Sequence, residues 1–303
     1  MFFNLSDKYT IAITGDEFFG RRIADALKQN NVKADFVPLP KNLYKMKSTF
    51  NSYSIIHFVG SPTISKNLPK LFFLKLYGKK ILVNWIGFDV RRIKYSKLRR
   101  IMGLIGNYFT DINIATAENL VNDLVKNRIQ AQFQPIPVYS IYSTEELPLE
   151  KRVAVYLPDK YPSFSDFYQE TIIKNLVKGF PEIEFLILNN SGKTFFEPNV
   201  KCFEWCEDME KIYKQVQVVI RLPLSDGTSG TIIETLSMGR YMIASNTLLP
   251  YCEVVHNYEE AKTALRKTIE KTTINQEGSE YVKENFSSLK LVNDLIKIYD
   301  DLT

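Results

Sequence analysis

A chain of 303 residues with 45% hydrophobic and 24% charged content has enough apolar material for about two cores, which excludes a disordered or fibrous protein. Charge is divided unevenly: residues 1–140 carry 21 Lys and Arg against 9 Asp and Glu, a net +12, whereas residues 141–303 carry 18 against 25, a net −7. Two electrically different halves predict two domains, with the basic one facing an anionic partner.

No apolar run is long enough to cross a bilayer, and Met1-Phe-Phe-Asn-Leu-Ser-Asp7 is too short and polar to read as a signal peptide, so a cytoplasmic location is expected. Three cysteines, Cys202, Cys206 and Cys252, are too few for a disulfide framework. Cys202-Phe-Glu-Trp-Cys206 lacks the spacing and second ligand pair of a zinc site, and the two histidines, His57 and His256, lie far apart. Neither a metal nor another cofactor is therefore expected.

The first half alternates strand and helix signals. Tyr9–Thr14 reads as a strand leading through Gly15 and Gly20 into the helical Arg21–Lys28. Gly15-Asp-Glu-Phe-Phe-Gly20 lacks the spacing of a dinucleotide fingerprint, which disfavours NAD. Strands are predicted at Asp35-Phe-Val-Pro, Ser54–Val59, Lys80–Trp85 and Asn113–Thr116. Gly15, Gly60 and Gly87 end or follow such strands, where open α/β sheets bind ligands.

Between the last two strands, residues 91–105 interleave six cations, Arg91, Arg92, Lys94, Lys97, Arg99 and Arg100, with Ile93, Tyr95, Leu98, Ile101, Met102 and Leu104. Read as one helix, the segment is basic on one side. It admits two readings: a peripheral contact with an anionic membrane surface, or an amphipathic helix covering the sheet with its charges in water. No recognised binding motif accompanies the charge, so nucleic acid is not an expected partner.

Residues around Pro135-Ile-Pro137 to Pro148 have no clean period and mark the interdomain link. The second half restarts the alternation at Arg152–Leu157, Tyr168–Val177, Ile183–Leu188, Val200–Trp205, Met209–Lys214 and Val218–Ile220. Apolar residues at helical spacing after Ser287-Ser288 predict a closing helix. The resulting division is 1–140, 141–280 and a terminal segment 281–303, with an α/β, doubly wound pattern in each half.

The most specific stretch follows Val218–Ile220: Arg221-Leu-Pro-Leu-Ser-Asp226-Gly227-Thr228-Ser229-Gly230-Thr231-Ile-Ile-Glu234, closed by Gly239 and the strand Tyr241–Ala244. Two strands with a glycine-rich loop and a helix between them make a βαβ unit. Such a loop lets backbone approach a ligand, and the amides opening its helix near Thr231 favour phosphate oxygens. Glu234 sits about one turn into the helix, where a carboxylate can accept hydrogen bonds from sugar hydroxyls.

At these residues the chain resembles the retaining GT-B glycosyltransferases of the Glu-x7-Glu class (glycosyl transferases group 1, family 4-like), with Asp226 as the first acid and Glu234 as the second. The resemblance implies two Rossmann-like domains facing a cleft. It also implies retaining, metal-independent transfer of a hexose-like sugar from a nucleotide-sugar to a saccharide or lipid-linked acceptor. Asp226 would meet the transferred sugar, Glu234 would hold the ribose, and Gly227, Thr228, Ser229, Gly230 and Thr231 would line the donor phosphates.

The family places Arg and Lys after the first strand of its second domain; here Leu157-Pro-Asp-Lys160-Tyr161 offers only Lys160, with Arg221 as a second candidate cation. Its first domain often shows His-Gly-x-Asp after a strand; here Ile86-Gly87-Phe-Asp89 keeps Gly87 and Asp89 and lacks the His. His57 either compensates from a neighbouring strand, joining Gly15, Gly60, Gly87 and Asp89 on the acceptor side, or is a core histidine. The closing helix resembles the one that packs back toward the first domain. The missing His motivates a rival reading, a non-catalytic nucleotide- or sugar-binding subunit of the same fold. A nucleotide-sugar epimerase, a third reading, normally brings more acids and histidines.

Overall fold

A computed structural model describes residues 9–63, 66–160 and 163–303; the N-terminal Met1–Asp7 segment and Tyr161 lie outside the described residues. In chain order the elements are β1 (Ile11–Gly15), α1 (Glu17–Gln29), β2 (Ala34–Phe36), α2 (Lys45–Phe50), β3 (Ile55–Val59), α3 (Leu68–Leu76), β4 (Lys80–Trp85), α4 (Phe88–Tyr95), α5 (Lys97–Tyr108), β5 (Ile112–Ala115), α6 (Glu118–Lys126) and β6 (Gln132–Phe133). There follow β7 (Arg152–Tyr156), α7 (Ser163–Phe167), α8 (Glu170–Gly179), β8 (Glu184–Leu188), β9 (Val200–Phe203), α9 (Met209–Lys214), β10 (Val218–Arg221), α10 (Gly230–Ser237), β11 (Tyr241–Ala244), β12 (Cys252–Val254), α11 (Tyr258–Ile269), α12 (Gln276–Asn285) and α13 (Ser288–Asp300).

The strands form two six-stranded parallel sheets, ordered β2-β1-β3-β4-β5-β6 and β12-β11-β10-β7-β8-β9. Each belongs to its own compact unit. The first unit takes the described residues through Tyr139 together with Phe286–Thr303, and the second takes Ser140–Asn285. The α/β architecture of two Rossmann-like units is thus the one the alternation predicts.

Helices cover both faces of a parallel sheet, so its strands are buried on both sides and read as continuous apolar runs. All five residues of β3 and all four of β10 are buried. In the first unit one face packs Ile11, Ile13, Ile55 and Leu82 with α13, which contributes Val292, Leu295 and Tyr299; the other face packs Ala12, Ile56, Phe58 and Val83 with Leu71, Leu74 and Ile93. In the second unit Val153, Val155, Val218, Ile220 and Ile243 pack with α8 and α11.

Strand order places the reversal points. In the first sheet the chain steps from β1 out to β2 and then back to β3 on the other side; in the second it runs β7-β8-β9 and returns to β10 beside β7. Ligand sites of open α/β sheets form at such reversals, outside the carboxyl ends of the strands. At the first reversal Gly15 has φ 109°, and an added Cβ would fall 2.2 Å from the Val59 carbonyl oxygen, so only glycine lets the turn pass this close to β3.

Two features depart from the sequence-based expectations. The 91–105 segment is two helices rather than one: Ser96 leaves the helical region (φ −136°, ψ 115°), and its hydroxyl accepts from the Arg99 amide to cap α5. The short edge strands β6 and β12, and helix α11, add elements that the apolar runs do not mark.

Candidate functional site

The loop from β10 to α10 is held from several directions. Ser245 Oγ and Asn246 Nδ2, just after β11, donate to the Pro223 carbonyl at 2.6 and 2.8 Å. Gln169 Nε2 donates to the Leu222 carbonyl at 2.9 Å, and the Leu224 amide donates to the Phe167 carbonyl at 2.8 Å. Backbone polar groups that leave a strand must find such partners when water is excluded.

On this loop Asp226 accepts from Arg221 Nε at 2.7 Å and from the Gly227 amide at 3.0 Å. The Arg221 guanidinium lies 4.4 Å from the Tyr156 ring centre and 5.5 Å from that of Tyr168, and the residue is 9% exposed. Burial works against its cation, but Asp226 and the two tyrosines outweigh burial and hold its pKa above the ordinary value. The loop therefore carries a fixed ion pair at the end of β10, walled by two aromatic rings.

Helix α10 opens at Gly230 after Ser229, whose backbone is extended (φ −77°, ψ 134°). The amides of Gly230 and Thr231 belong to the first turn, which an α-helix leaves without internal carbonyls and which carries its positive dipole end. Ser229 and Gly227 are buried, while Thr228, Gly230 and Thr231 are half-buried.

One turn on, the half-buried Glu234 accepts from the Tyr213 hydroxyl at 3.1 Å. Tyr213 is fully buried; burial and then the Glu234 charge push its hydroxyl well above the ordinary pKa, so it remains a donor at physiological pH. Tyr142 stands with its ring centre 6.0 Å from that of Tyr213, and its pKa is likewise raised by burial and by Glu234. Behind them, the Asn275 amide donates to the Gly239 carbonyl at 2.8 Å and Ser279 Oγ to the Ser237 carbonyl at 2.8 Å, fixing the end of α10.

Lys160 is exposed on the loop after β7, the strand beside β10. Its neighbour Asp159 accepts from the Ser191 amide at 2.9 Å and from the Ser191 hydroxyl, which lowers the Asp159 pKa and ties this loop to the one after β8. Arg221 and Asp226 are thus brought into contact, Glu234 stands on the helix they lead into, and Lys160 lies at the same reversal of the sheet.

In the first unit a pocket of about 350 Å³ opens at the β1 and β3 ends, bordered by Gly15, Asp16, Gly60, Ser61, Asp89 and Arg92 among others. Asp89 reaches it, but its oxygens are engaged with backbone: the amides of Ser61 (2.8 Å), Gly87 (3.0 Å), Val90 (2.9 Å) and Ile86 (3.2 Å) all donate to it. Burial raises its pKa against the pull of those amides, with a net rise. Its geometry is that of a carboxylate pinning the loops after β3 and β4, rather than one projecting to a sugar. Gly87 is the residue before α4, and its amide serves the same clasp.

His57 corrects the acceptor-side set. It is fully buried within β3, its Nδ1 lies 2.7 Å from the Tyr299 hydroxyl, and burial pulls its pKa down to about 3. It is therefore a core histidine between the sheet and α13, not a side chain of the pocket. Cys202, Cys206 and Cys252 are free thiols, and among the described residues no group of three His, Cys, Asp or Glu is arranged to hold a metal.

Sequence reasoning passed over Tyr156, Tyr168 and Tyr213. Their only signals are position: Tyr156 ends β7, Tyr168 precedes α8, and Tyr213 adjoins the buried Ile212 on α9.

No known protein family matches the chain by sequence, and no curated protein does so either. Its structure is nonetheless similar to solved ones. HepE of Anabaena, in complex with UDP, superposes with a TM-score of 0.75 at 12% identity, over 96% of this chain and 100% of that one. Sucrose-phosphate synthase of Thermosynechococcus elongatus gives 0.69 at 12% identity, over 97% and 99%. The pneumococcal O-GlcNAc transferase GtfA, in complex with UDP and GlcNAc, gives 0.59 at 13% identity, over 86% and 59%. The fold is thus the two-domain Rossmann-like fold of GT-B glycosyltransferases.

Proposed function

We propose that this chain is a glycosyltransferase that moves a sugar from a nucleoside-diphosphate sugar to a saccharide or lipid-linked acceptor, with retention and without a metal. The observation that carries the reading is the β10 to α10 loop at the reversal of the second sheet, with Arg221 on Asp226, opening amides at Gly230-Thr231, and Glu234 one turn beyond. HepE has also been solved in complex with UDP-glucose, on a fold that this chain shares.

Transfer breaks the bond between the anomeric carbon and a diphosphate oxygen, so negative charge grows on the leaving group while the sugar becomes oxocarbenium-like. Preoriented donors at that oxygen lower the barrier most. The α10 amides supply such donors, and Lys160 supplies a cation from the neighbouring loop. Arg221 is committed to Asp226 through Nε, so its role is to hold Asp226 toward the sugar hydroxyls. Glu234, steadied by Tyr213, accepts from the ribose hydroxyls. The acceptor is assigned to the pocket of the first unit, which Asp89 shapes through the backbone.

A second reading, nucleotide binding without transfer, is favoured by two observations: Asp226 is neutralised by Arg221, and Ile86 stands where the family places a histidine. A thermal-shift screen of nucleoside diphosphates and their sugars, followed by NMR of any product, separates the two. Transfer predicts a stabilising donor, its consumption with acceptor, and an anomeric configuration equal to that of the donor. Stabilisation with no consumption against any acceptor supports the second reading, and an inverted product contradicts retention.

A further inference from the structure

Helix α5 turns its apolar side outward. Gly103 and Gly106 are its buried residues, whereas Leu98, Ile101, Leu104, Ile105 and Tyr108 are between 37% and 85% exposed. The glycines explain the orientation. A Cβ on Gly106 would lie 2.3 Å from Thr63 Cβ, and one on Gly103 would lie 3.0 Å from Ile93 Cδ1. The helix therefore seats on its glycine side, backbone close to the unit, and leaves its aliphatic side to the solvent.

Positions 98, 101, 105 and 108 share one side of a 3.6-residue helix, with Lys97 on the same side and Arg100 at its flank. Both cations are exposed. The apolar surface continues onto α3: Phe109 makes edge contacts with Tyr108 and Phe72 at 5.5 Å each, and Phe72 and Leu76 are 43% and 63% exposed. A continuous apolar surface of this kind marks an interaction site.

Charge selects the partner. From residue 90 to residue 110 there is no acid. The two acids that bracket this stretch are engaged internally, Asp89 with backbone amides and Asp111 with Lys75 Nζ at 2.7 Å and the Ile81 amide. A second copy of this surface would bring cations against cations. Among the described residues no helix is long and apolar enough to cross a membrane, so a lipid partner would be met at its surface.

We infer that the outward side of α5, extended by Phe72 and Leu76 of α3, docks on an anionic lipid bilayer, with its aliphatic side chains at the acyl boundary and Lys97 and Arg100 among the phosphates. The inference stands apart from sugar transfer, and binding alone tests it. The full chain is incubated with vesicles of phosphatidylcholine, with and without phosphatidylglycerol, and sedimented at low and high salt, with size exclusion in parallel. The expected result is roughly tenfold or stronger binding to the anionic vesicles, weakening with salt.

The combined Leu98→Ser, Ile101→Ser and Tyr108→Ser variant should lose at least about tenfold, and Lys97→Gln with Arg100→Gln should lose the preference for anionic lipid. These positions are exposed, so far-UV circular dichroism and Tm should match the wild type. Absent binding, binding unchanged in both variants, or a wild-type oligomer that the serine variant converts to monomer would overturn the inference.

Discussion

The two sheet reversals place their acids in opposite ways. At the end of β10 the chain presents charged side chains steadied by side-chain partners: Asp226 by Arg221, and Glu234 by Tyr213. At the ends of β1, β3 and β4 Asp89 is turned inward onto four amides, and backbone and glycine set much of the pocket's outline. The first arrangement suits a polyhydroxylated, charged ligand that must be gripped in one pose. The second suits a partner recognised by shape, with Arg92 and Asp16 at its border.

The sharpest way to break this contrast is Arg221→Ala. It takes the guanidinium from the Asp226 carboxylate, and removal of one member of a largely buried pair typically costs roughly 3–5 kcal/mol. Urea denaturation should show a loss of that order; a loss below about 1 kcal/mol, the scale of exposed pairs, would mean that the pair is solvated.

Acid tests the first unit through His57. Its folded pKa of about 3 lies below the ordinary 6.5, so the unfolded chain binds the extra proton between those values. Stability should then fall as pH drops through that window, by at most about 1.4 kcal/mol per pH unit from this group. Replacement by Gln should flatten the part of the slope that His57 contributes, and an unchanged slope would show that the imidazole titrates normally.

Asp89→Asn is the milder test. The amide keeps the shape but presents only one accepting oxygen to four donors, for an expected cost of about 1–3 kcal/mol in thermal or urea unfolding. Nucleotide binding, assigned to the other unit, should remain within about twofold of wild type. A large loss of nucleotide affinity in this variant would place the nucleotide in the first unit and reverse the contrast.

Much of this was legible in the residues. Long apolar runs such as Ile55–Val59 and Val218–Ile220 mark buried parallel strands because both faces of the sheet are covered. Spacing put Asp226 and Glu234 on one loop and helix, since a glycine-rich βα turn constrains what surrounds it.

What remained illegible depends on neighbours distant in the chain. β6 and β12 are short edge strands, only partly buried at most, and so lack a hydrophobic signature. The spacing of Ile86-Gly-Phe-Asp89 marks an acid after a strand, but its oxygens were claimed by amides from a separate loop at Ser61. His57 met its partner 242 residues away on α13. Periodicity in 91–105 showed that a helix is two-sided, yet it took Thr63 and Ile93 against the glycines of α5 to decide which side faces out.

The most direct check of the proposed donor site is isothermal titration of UDP, or of whichever nucleoside diphosphate stabilises the chain most, against wild type, Glu234→Ala and Asp89→Asn. If Glu234 holds the ribose, its truncation should weaken binding by about tenfold or more while Asp89→Asn binds as wild type, on the scale of hydrogen bonds to a charged group. Equal affinity for wild type and Glu234→Ala would contradict the placement of the nucleotide on α10.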